Sequence, residues 1–441
     1  MNPVEAFLDI VRRNKAGEAV GIYSVCSAHE GVIRACMKQA LEDGTVMLLE
    51  STSNQVDQFG GYTGMTPADF VAYAERIAAG VGFPEEKLLL GGDHLGPNAW
   101  RESDAETAMG NALELVRRYV AAGYRKIHLD ASMFLADDEG DRHAPLADEV
   151  VATRAAVLCA AAEEAYAALP AGSPAPVYVI GTEVPIPGGA TEHEEGVRAT
   201  PAADARRTVD ITKRAFFEAG LSSAWDRVCA LVVQPGVEFG DDQVFDYDPS
   251  AAEALSHALD DIPRLVFEAH STDYQTPAGL AALVKGHFCI QKVGPWLTYA
   301  WREALFALAG AEDEILAGRP ASRLKAVLEE VMLENPGNWK KYYSGGEDER
   351  KFKRRYSYSD RSRYYWPDER LERAVKMLFS NLRAADPPPT LYSQYLPGAY
   401  QAWRAGRIGL DPEEMAENRV RDVAGIYAAA CGANRGANRK A

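Results

Sequence analysis

The sequence predicts a parallel α/β fold: a (β/α)8 TIM barrel followed by a helical C-terminal extension. Eight short β-rich apolar runs alternate with Ala-rich stretches of helical period, and eight parallel strands close a barrel. Most runs end at a residue that can do chemistry, and reactive groups of such barrels lie at the strand ends. A doubly wound open sheet is the alternative, but residues 24–29 (SVCSAH) after the first run lack a glycine-rich dinucleotide fingerprint.

The eight apolar runs are the predicted strands, in chain order: 20–25, 46–49, 88–90, 126–129, 177–180, 231–233, 265–269 and 288–291. The clearest helical stretches between them are 29–42, 66–81, 104–122, 146–169, 202–219 and 249–259. Thr66, Pro67 and Asp69 supply an N-cap, a first-position proline and a first-turn acid. No strand pattern follows residue 295, so we predict a barrel over 1–315 and a helical extension over 316–441.

Composition narrows the class of protein. The 441 residues are 47% hydrophobic, enough for a large core, and carry a net charge of −17. That charge argues against nucleic-acid or acidic-membrane binding but leaves a phosphorylated small molecule open. Six scattered cysteines without a CxxC pair, no signal-peptide pattern and no long apolar segment predict a cytoplasmic protein.

The third apolar run leads through two glycines to Asp93 and His94, the most informative pair in the chain. An adjacent carboxylate and imidazole can divide metal binding and proton transfer between them, although a structural His–Asp turn is the alternative. Glu183 ends the fifth run and His270 ends the seventh. His94, Glu183 and His270 predict a site for Zn²⁺, Mn²⁺, Co²⁺ or Ni²⁺.

Further polar residues end the neighbouring runs. Asp130 and Gln234 end the fourth and sixth runs, where we expect them to orient hydroxyl groups or a metal-bound water. His128 points to the same side as Asp130, and we expect it to pack in a barrel layer rather than bind metal. Glu268 stands two residues before His270, and its role stays open. The predicted catalytic carboxylates are Asp93, Glu183 and Asp130.

Two regions and one lysine are candidates for substrate binding. The loop after the second run is dense in hydroxyl and amide groups, including Ser51, Asn54 and Gln55, which suits a polyol; a solvated turn is the plain alternative. Lys292 ends the eighth run, where barrel enzymes often hold a phosphate.

The second region, residues 340–363, carries nine Lys or Arg against four acids, interleaved with aromatic residues. The acidic chain opposes RNA binding by this segment. We predict a phosphate clamp or a subunit contact, with a solvated, salt-bridged surface as the alternative. The candidate residues of the clamp are Arg354, Ser357, Ser359 and Arg361.

Several motifs together resemble one family. They are GIYSVCSAH (21–29), ESTSNQV (50–56), QFGGYTGM (58–65), GGDHLGPN (91–98), KIHLDAS (126–132), GTEVP (181–185) and YSYSDR (356–361). The family is that of the non-catalytic subunits of D-tagatose-1,6-bisphosphate aldolase, whose stand-alone relatives include D-tagatose-6-phosphate 4-epimerases. The resemblance extends from about residue 5 to about residue 425.

The resemblance implies a barrel similar to class II, metal-dependent ketose-bisphosphate aldolases, with Asp93 as proton-transfer residue and His94 as a metal ligand. Glu183 and His270 fall where other metal-site residues are expected. Three departures stand out: Gly91 replaces a histidine, Gln234 stands where a further ligand histidine is expected, and residues 271–274 (STDY) replace a glycine-rich phosphate loop.

These departures favour a 4-epimerase that interconverts D-tagatose 6-phosphate and D-fructose 6-phosphate by breaking and re-forming the C3–C4 bond. The alternative is a non-catalytic stabilising subunit of a class II aldolase, and simple aldolase cleavage ranks third. The predicted partners are a phosphorylated ketose, an aldolase subunit in the alternative case, and further copies of the chain in a homo-oligomer.

Overall fold

The computed structural model describes residues 1–142, 144–181, 197–316 and 320–433. Its strands are β1 (Ile22–Cys26), β2 (Met47–Thr52), β3 (Leu88–Leu95), β4 (Lys126–Leu129), β5 (Val177–Ile180), β6 (Val228–Val233), β7 (Glu238–Phe239), β8 (Val244–Phe245), β9 (Val266–Ala269) and β10 (Phe288–Val293). Eight of them close a parallel barrel in the order β1-β2-β3-β4-β5-β6-β9-β10, and β7 and β8 form a separate antiparallel ribbon. The predicted TIM barrel is therefore confirmed.

Helices follow the barrel strands and continue beyond them. They are α1 (Pro3–Lys15), α2 (Glu30–Asp43), α3 (Pro67–Val81), α4 (Ala105–Ala122), α5 (Asp148–Ala167), α6 (Ala202–Glu218), α7 (Ser222–Trp225), α8 (Glu253–Ser256), α9 (Pro277–Lys285), α10 (Pro295–Ile315), α11 (Leu324–Glu334), α12 (Glu347–Tyr356), α13 (Glu369–Ala385), α14 (Pro389–Tyr395), α15 (Pro397–Arg404) and α16 (Pro412–Ala430). Short 3-10 turns link several of them.

Most predicted elements lie within a few residues of the observed ones. The helix predicted over 249–259 is the exception, because α8 is a single turn. After Ser256 the main chain tightens into a three-residue turn, with the Ala258 N–H donating to the Leu255 carbonyl. The ribbon of β7 and β8 was not predicted, since each strand has only two residues.

The third strand is longer than its apolar run, and its extension positions two site residues. β3 continues through both glycines to Leu95, but its register with β4 shifts between Gly92 and Leu95. Asp93 and His94 lie in this bulge, and His94 has a left-handed backbone with φ of 48°. A bulge re-aims side chains out of the strict alternation of a strand. Both side chains therefore reach the same interior cluster.

The barrel interior has an apolar layer below a charged layer. The apolar layer holds Leu48, Val266 and Ile290, together with Val4 and Phe7 of α1, which contacts β3 and β9. Glu50, Glu268 and Lys292 lie two residues further along β2, β9 and β10, respectively, and all three are buried. Alternate residues of a strand face the same side. The charged layer therefore lies above the apolar layer along the barrel axis, nearer the carboxyl ends of the strands.

The C-terminal helices are joined to the barrel through one hydrophobic core. α16 packs against α2, α9 and α10, and a single buried cluster includes Val32 and Trp301 beside Leu378 and Tyr427. The predicted boundary at 315 coincides with the end of α10. The division into two domains stays a prediction.

Among the helices within the described ranges, none combines the length and the apolar character that crossing a membrane requires.

Candidate functional site

Three histidines converge at the carboxyl ends of the barrel strands. The ring centroids of His94 and His128 are 5.1 Å apart, as are those of His94 and His270, and His128 and His270 are separated by 5.6 Å. Each of these residues and Asp93 offers a ligand atom, and the four atoms lie within 4.8 Å of one another. All four residues are buried. The strand ends therefore build a compact set of three imidazoles and a carboxylate.

Carboxylates outside this set orient two of the imidazoles. His94 Nδ1 lies 2.8 Å from Asp130 Oδ2, and His270 Nε2 lies 3.0 Å from Glu268 Oε1. A ring N–H that donates to a carboxylate leaves the other ring nitrogen with a lone pair, which is the usual arrangement behind a metal-ligating histidine. His128 Nδ1 lies 3.0 Å from Asp93 Oδ1.

These residues fit a divalent metal. The second nitrogen of His128, Nε2, is buried without a hydrogen-bond partner among the described residues, and an unpaired buried polar atom is costly unless something binds it. Three imidazoles and a carboxylate are also a donor set that Zn²⁺, Mn²⁺, Co²⁺ and Ni²⁺ accept. The structure brings His94 and His270 together with His128, which the sequence predicts to pack in a barrel layer, whereas Glu183 lies outside the described residues.

The protonation of the cluster suits such a role. Burial disfavours the charge on Asp93, but His94 and Lys292 outweigh burial and hold the pKa of Asp93 well below its usual range. Burial lowers the pKa of His270 to about 4, so this ring is neutral at pH 7. A carboxylate anion beside a neutral imidazole can accept a proton and bind a cation.

A buried ionic network supports the cluster from below. Lys126 Nζ lies between Glu50 and Glu268, 2.7 Å from Glu268 Oε2, and all three side chains have no exposure to solvent. Lys292 Nζ lies 3.0 Å from Glu50 Oε2 and also pairs with Asp93. Charges of alternating sign therefore run from Glu268 to Asp93. Such buried pairs are stable only when each charge keeps its partners.

Gly91 is required by this network. A Cβ built at Gly91 would lie 2.5 Å from Glu50 Oε1. The Glu50 carboxylate, held by Lys126 and Lys292, thus fills the space beside the position at which the resemblance leads us to expect a histidine. A histidine at 91 would displace it.

An open cavity lies above the cluster. Its wall includes Asp93, His94, His270 and Lys292, and two residues of the predicted substrate loop, Asn54 and Gln55. The catalytic and metal candidates therefore face the same space as part of the predicted substrate loop.

Other predicted substrate residues have different surroundings. The Ser51 hydroxyl lies 3.1 Å from the Tyr119 hydroxyl and 3.0 Å from the Tyr124 hydroxyl, behind the strand. Gln234 Oε1 accepts the main-chain N–H groups of Gly236 and Val237, which fixes the turn after β6. These contacts give both residues a structural role, and a role in substrate binding stays a prediction.

The residues of the phosphate clamp predicted in 340–363 mostly pair with other groups of the protein. Arg354 forms ion pairs with Glu329 and Glu347. Arg361 stacks on a tyrosine ring. Ser357 and Ser359 bond to each other at 2.9 Å. None of these four side chains lines the cavity described above.

Arg363, which ends the same segment, does line the cavity. Its guanidinium donates to the main-chain oxygen of Asp360 and to the Tyr364 hydroxyl, and also reaches the Ser359 carbonyl. No carboxylate of the described residues lies within 4.0 Å of it. Sequence reasoning found the basic segment but not this residue, because only the path of the chain after α12 brings Arg363 to the cavity.

Three further residues were missed or left open by the sequence. Glu50 and Lys126 are 76 positions apart, and nothing in either local pattern signals that they pair. Asp273 lines the cavity and follows His270 by three residues. Glu183 lies outside the described residues, so its predicted roles as metal ligand and catalytic residue stay predictions.

Comparison with known proteins identifies the family of the chain. The family model of the "D-tagatose-1,6-bisphosphate aldolase subunit GatZ/KbaZ-like" proteins matches residues 7–432. A solved structure from Sinorhizobium meliloti 1021, described as a probable tagatose 6 phosphate kinase, is 45% identical over 93% of this chain and 100% of its own, with a TM-score of 0.85.

Two aldolase structures show weaker similarity. One, described as a putative fructose-1,6-biphosphate aldolase from Coccidioides immitis, is 13% identical over 87% of this chain and 96% of its own, with a TM-score of 0.41. The other, a fructose-bisphosphate aldolase from Campylobacter jejuni, is 12% identical over 86% and 93%, with a TM-score of 0.43. With the family model matched along nearly its whole length, the chain belongs to the GatZ/KbaZ-like family of D-tagatose-1,6-bisphosphate aldolase subunits.

Proposed function

We propose that the barrel centre is a metal-dependent site for 4-epimerisation, interconverting D-tagatose 6-phosphate and D-fructose 6-phosphate. The observation that carries the proposal is the buried cluster of Asp93, His94, His128 and His270 below an open cavity. A subunit that only stabilises another protein does not need three buried imidazoles, two of them oriented by carboxylates, and an unpaired ring nitrogen. Maintaining such a cluster costs stability, which supports a functional reason for it.

A divalent metal held by the three histidines would supply Lewis-acid polarisation of the ketose carbonyl. The chain's own residues do the rest. Asp130 and Glu268 keep His94 and His270 in the tautomers that leave a lone pair free. Asp93, kept anionic by the Lys292 ammonium, accepts the proton of the C4 hydroxyl.

Loss of that proton lets the C3–C4 bond break, with its electron pair moving towards C2 and an aldehyde forming at C4. The aldehyde turns its other face, C3 attacks again, and the C4 oxygen recovers a proton. Lys292, which is paired with Asp93 and lines the cavity, can donate that proton, and Asp93 then passes the proton it had accepted to the Lys292 amine, which restores both groups. Arg363 is the cation available to hold the phosphate, so that the three-carbon fragment stays bound while it turns.

The substrate class is supported by two descriptions of similar proteins. The family description names a tagatose bisphosphate, and the Sinorhizobium meliloti protein is described with tagatose 6-phosphate. Both descriptions name a phosphorylated ketose of the tagatose series. Arg363, with no carboxylate partner among the described residues, is consistent with such an anion.

A second candidate function is a non-catalytic subunit that stabilises a class II aldolase. The family description, which names an aldolase subunit over residues 7–432, favours this role over epimerisation. In that case a partner chain performs the chemistry, and the cluster described here is a relic or binds only metal. The intact cluster is the reason we place epimerisation first.

The test is incubation of purified protein with D-tagatose 6-phosphate, with each metal in turn and with a chelator, followed by NMR. We expect fructose 6-phosphate to appear in a metal-dependent manner. Triose products would indicate aldolase cleavage, and no turnover with any metal would favour the subunit role. A parallel reaction with ATP and Mg²⁺ tests the kinase activity in the description of the Sinorhizobium meliloti protein.

The matched control is Asp104→Asn against Asp93→Asn. Asp104 caps the exposed start of α4 by accepting the Thr107 N–H, far from the cluster. An epimerase predicts loss of turnover in the Asp93 variant only. Equal turnover in both variants would contradict the proposed role of Asp93.

A further inference from the structure

The end of the barrel at which a phosphate usually binds is occupied by the chain itself. In TIM barrels a phosphate is often held by the loops after the seventh and eighth strands together with a following helix N-terminus. Here those strands are β9 and β10, and the helix is α10. Asp273, in the loop after β9, reaches across to the start of α10.

The Asp273 carboxylate takes the donors that a phosphate would need. Its Oδ1 accepts the main-chain N–H of Gly294 at 3.0 Å and that of Trp296 at 2.8 Å. The carboxylate is 3% exposed. An acid at a helix N-terminus satisfies its free N–H groups and its positive dipole end. The side chain thus does there what a bound anion would do.

The surrounding loop holds the carboxylate in place. The hydroxyl of Thr272, the preceding residue, donates to the Lys292 carbonyl at 2.6 Å. The following residue, Tyr274, has a left-handed backbone with φ of 65°. Its hydroxyl donates to the Tyr358 carbonyl at 2.7 Å. The loop is fixed on both sides of Asp273, so the carboxylate cannot easily withdraw to admit another anion.

Asp273 nevertheless faces the cavity. It lines the same space as His270 and Lys292, and its second oxygen, Oδ2, has no hydrogen bond within the described ranges. A carboxylate oxygen on a cavity wall accepts a hydrogen bond from a sugar hydroxyl but repels a phosphate. Like charges brought together at a cavity wall repel each other.

We propose that Asp273 determines substrate specificity: the cavity accepts a ketose that places a free hydroxyl group at the Asp273 carboxylate and rejects one that places a second phosphate there. The substrate then carries one phosphate, not two. The inference rests on the proposed function only in that a ketose occupies this cavity, and it gives a physical reason why a bisphosphate is not the substrate.

The experiment is calorimetric titration of the metal-loaded protein with D-tagatose 6-phosphate and with D-tagatose 1,6-bisphosphate. We expect the wild-type protein to bind the monophosphate at least about tenfold more tightly. Asp273→Asn keeps an oxygen for Gly294 and Trp296 but removes the charge, and should reduce the preference at least about tenfold by tightening bisphosphate binding. Asp104→Asn, also a cap without contact to the cavity, should keep the wild-type preference.

Equal binding of the two ketoses by the wild-type protein would overturn the inference, as would an unchanged preference in a folded Asp273→Asn variant or absence of binding by both ketoses. The affinities of the wild-type protein for the two ketoses test the inference even if the variant does not fold. Binding and turnover also separate the two proposals. A monophosphate preference without turnover contradicts epimerisation alone, whereas turnover with equal affinity for both ketoses contradicts this inference alone.

Discussion

The barrel centre and the segment 340–363 are both rich in charged groups, but the protein uses them differently. In the centre, Asp93 and Lys292 pair with each other but also line an open cavity, where a ligand can reach them. In the segment, Arg354 is neutralised by Glu329 and Glu347 and does not line that cavity. The cation that reaches the cavity from the segment is Arg363. A cluster of basic residues in sequence therefore identifies a binding site less well than a charged residue at a strand end.

The variant Asp93→Asn is the strongest test of the difference between the barrel centre and the segment 340–363. Asn keeps the shape but cannot accept a proton, so epimerase turnover should fall by about 10²- to 10⁴-fold. NMR of product formation measures the loss, and thermal unfolding should show a folded protein. Turnover within a few-fold of wild type would remove Asp93 from the chemistry.

The second prediction concerns metal affinity. Asp130 holds the His94 ring through Nδ1, and loss of such a partner usually weakens metal binding by about 10- to 100-fold. Asp130→Asn should therefore lower the affinity for Zn²⁺ or Mn²⁺ in a titration against a competing chelator. Asp104→Asn should bind metal as the wild type does, and equal affinity in the two variants would argue against a histidine metal site.

The third prediction separates two arginines of the same segment. Arg363→Met removes the cation facing the cavity and should raise KM for the ketose phosphate about tenfold. Arg354→Met leaves Glu329 without its closest partner and should reduce the free energy of unfolding by about 1–3 kcal/mol while KM stays unchanged. Steady-state kinetics and denaturant unfolding measure both. If Arg354→Met raises KM instead, the segment is a clamp as the sequence predicts.

The smallest effect is in the pH dependence of stability, measured on chelator-treated protein. The pKa of His270 is lowered to about 4 by burial. Between about pH 4 and the ordinary histidine value the unfolded chain thus binds more protons, and this group's contribution to stability rises with pH.

Asp273 changes the stability with pH in the opposite direction. Burial raises its pKa to about 6. The folded state therefore holds the extra proton between the ordinary aspartate value and about pH 6, and this group's contribution falls as pH rises. The two contributions offset each other in the wild type. Asp273→Asn should make stability rise more steeply with pH, by on the order of 1 kcal/mol per pH unit.

Denaturant unfolding at several pH values checks this, with Asp104→Asn as control. Hydrogen bonds from Thr107 lower the pKa of Asp104, so its replacement should keep the wild-type slope over the same range. A slope that is unchanged in Asp273→Asn would mean that the Asp273 carboxyl titrates normally.

Much of this protein could be predicted from the sequence, because the relevant patterns are local. The apolar runs and the helical period predict the barrel, since each strand is recognised from its own few residues. Asp93, His94, His270, Asn54 and Gln55 stand at or just after strand ends, and strand ends of a parallel barrel share one face. Their meeting at one cavity follows from the fold class.

The tertiary structure decided how distant charges pair. Lys126 binds Glu50, 76 positions away. His128 joins the candidate metal ligands only because the β3 bulge brings Asp93 beside it. Asp273 fills the usual phosphate position because β10 delivers the start of α10 to it. Electrostatic pairing depends on separation in space, which chain spacing does not encode, whereas strand and helix formation depend on neighbours along the chain.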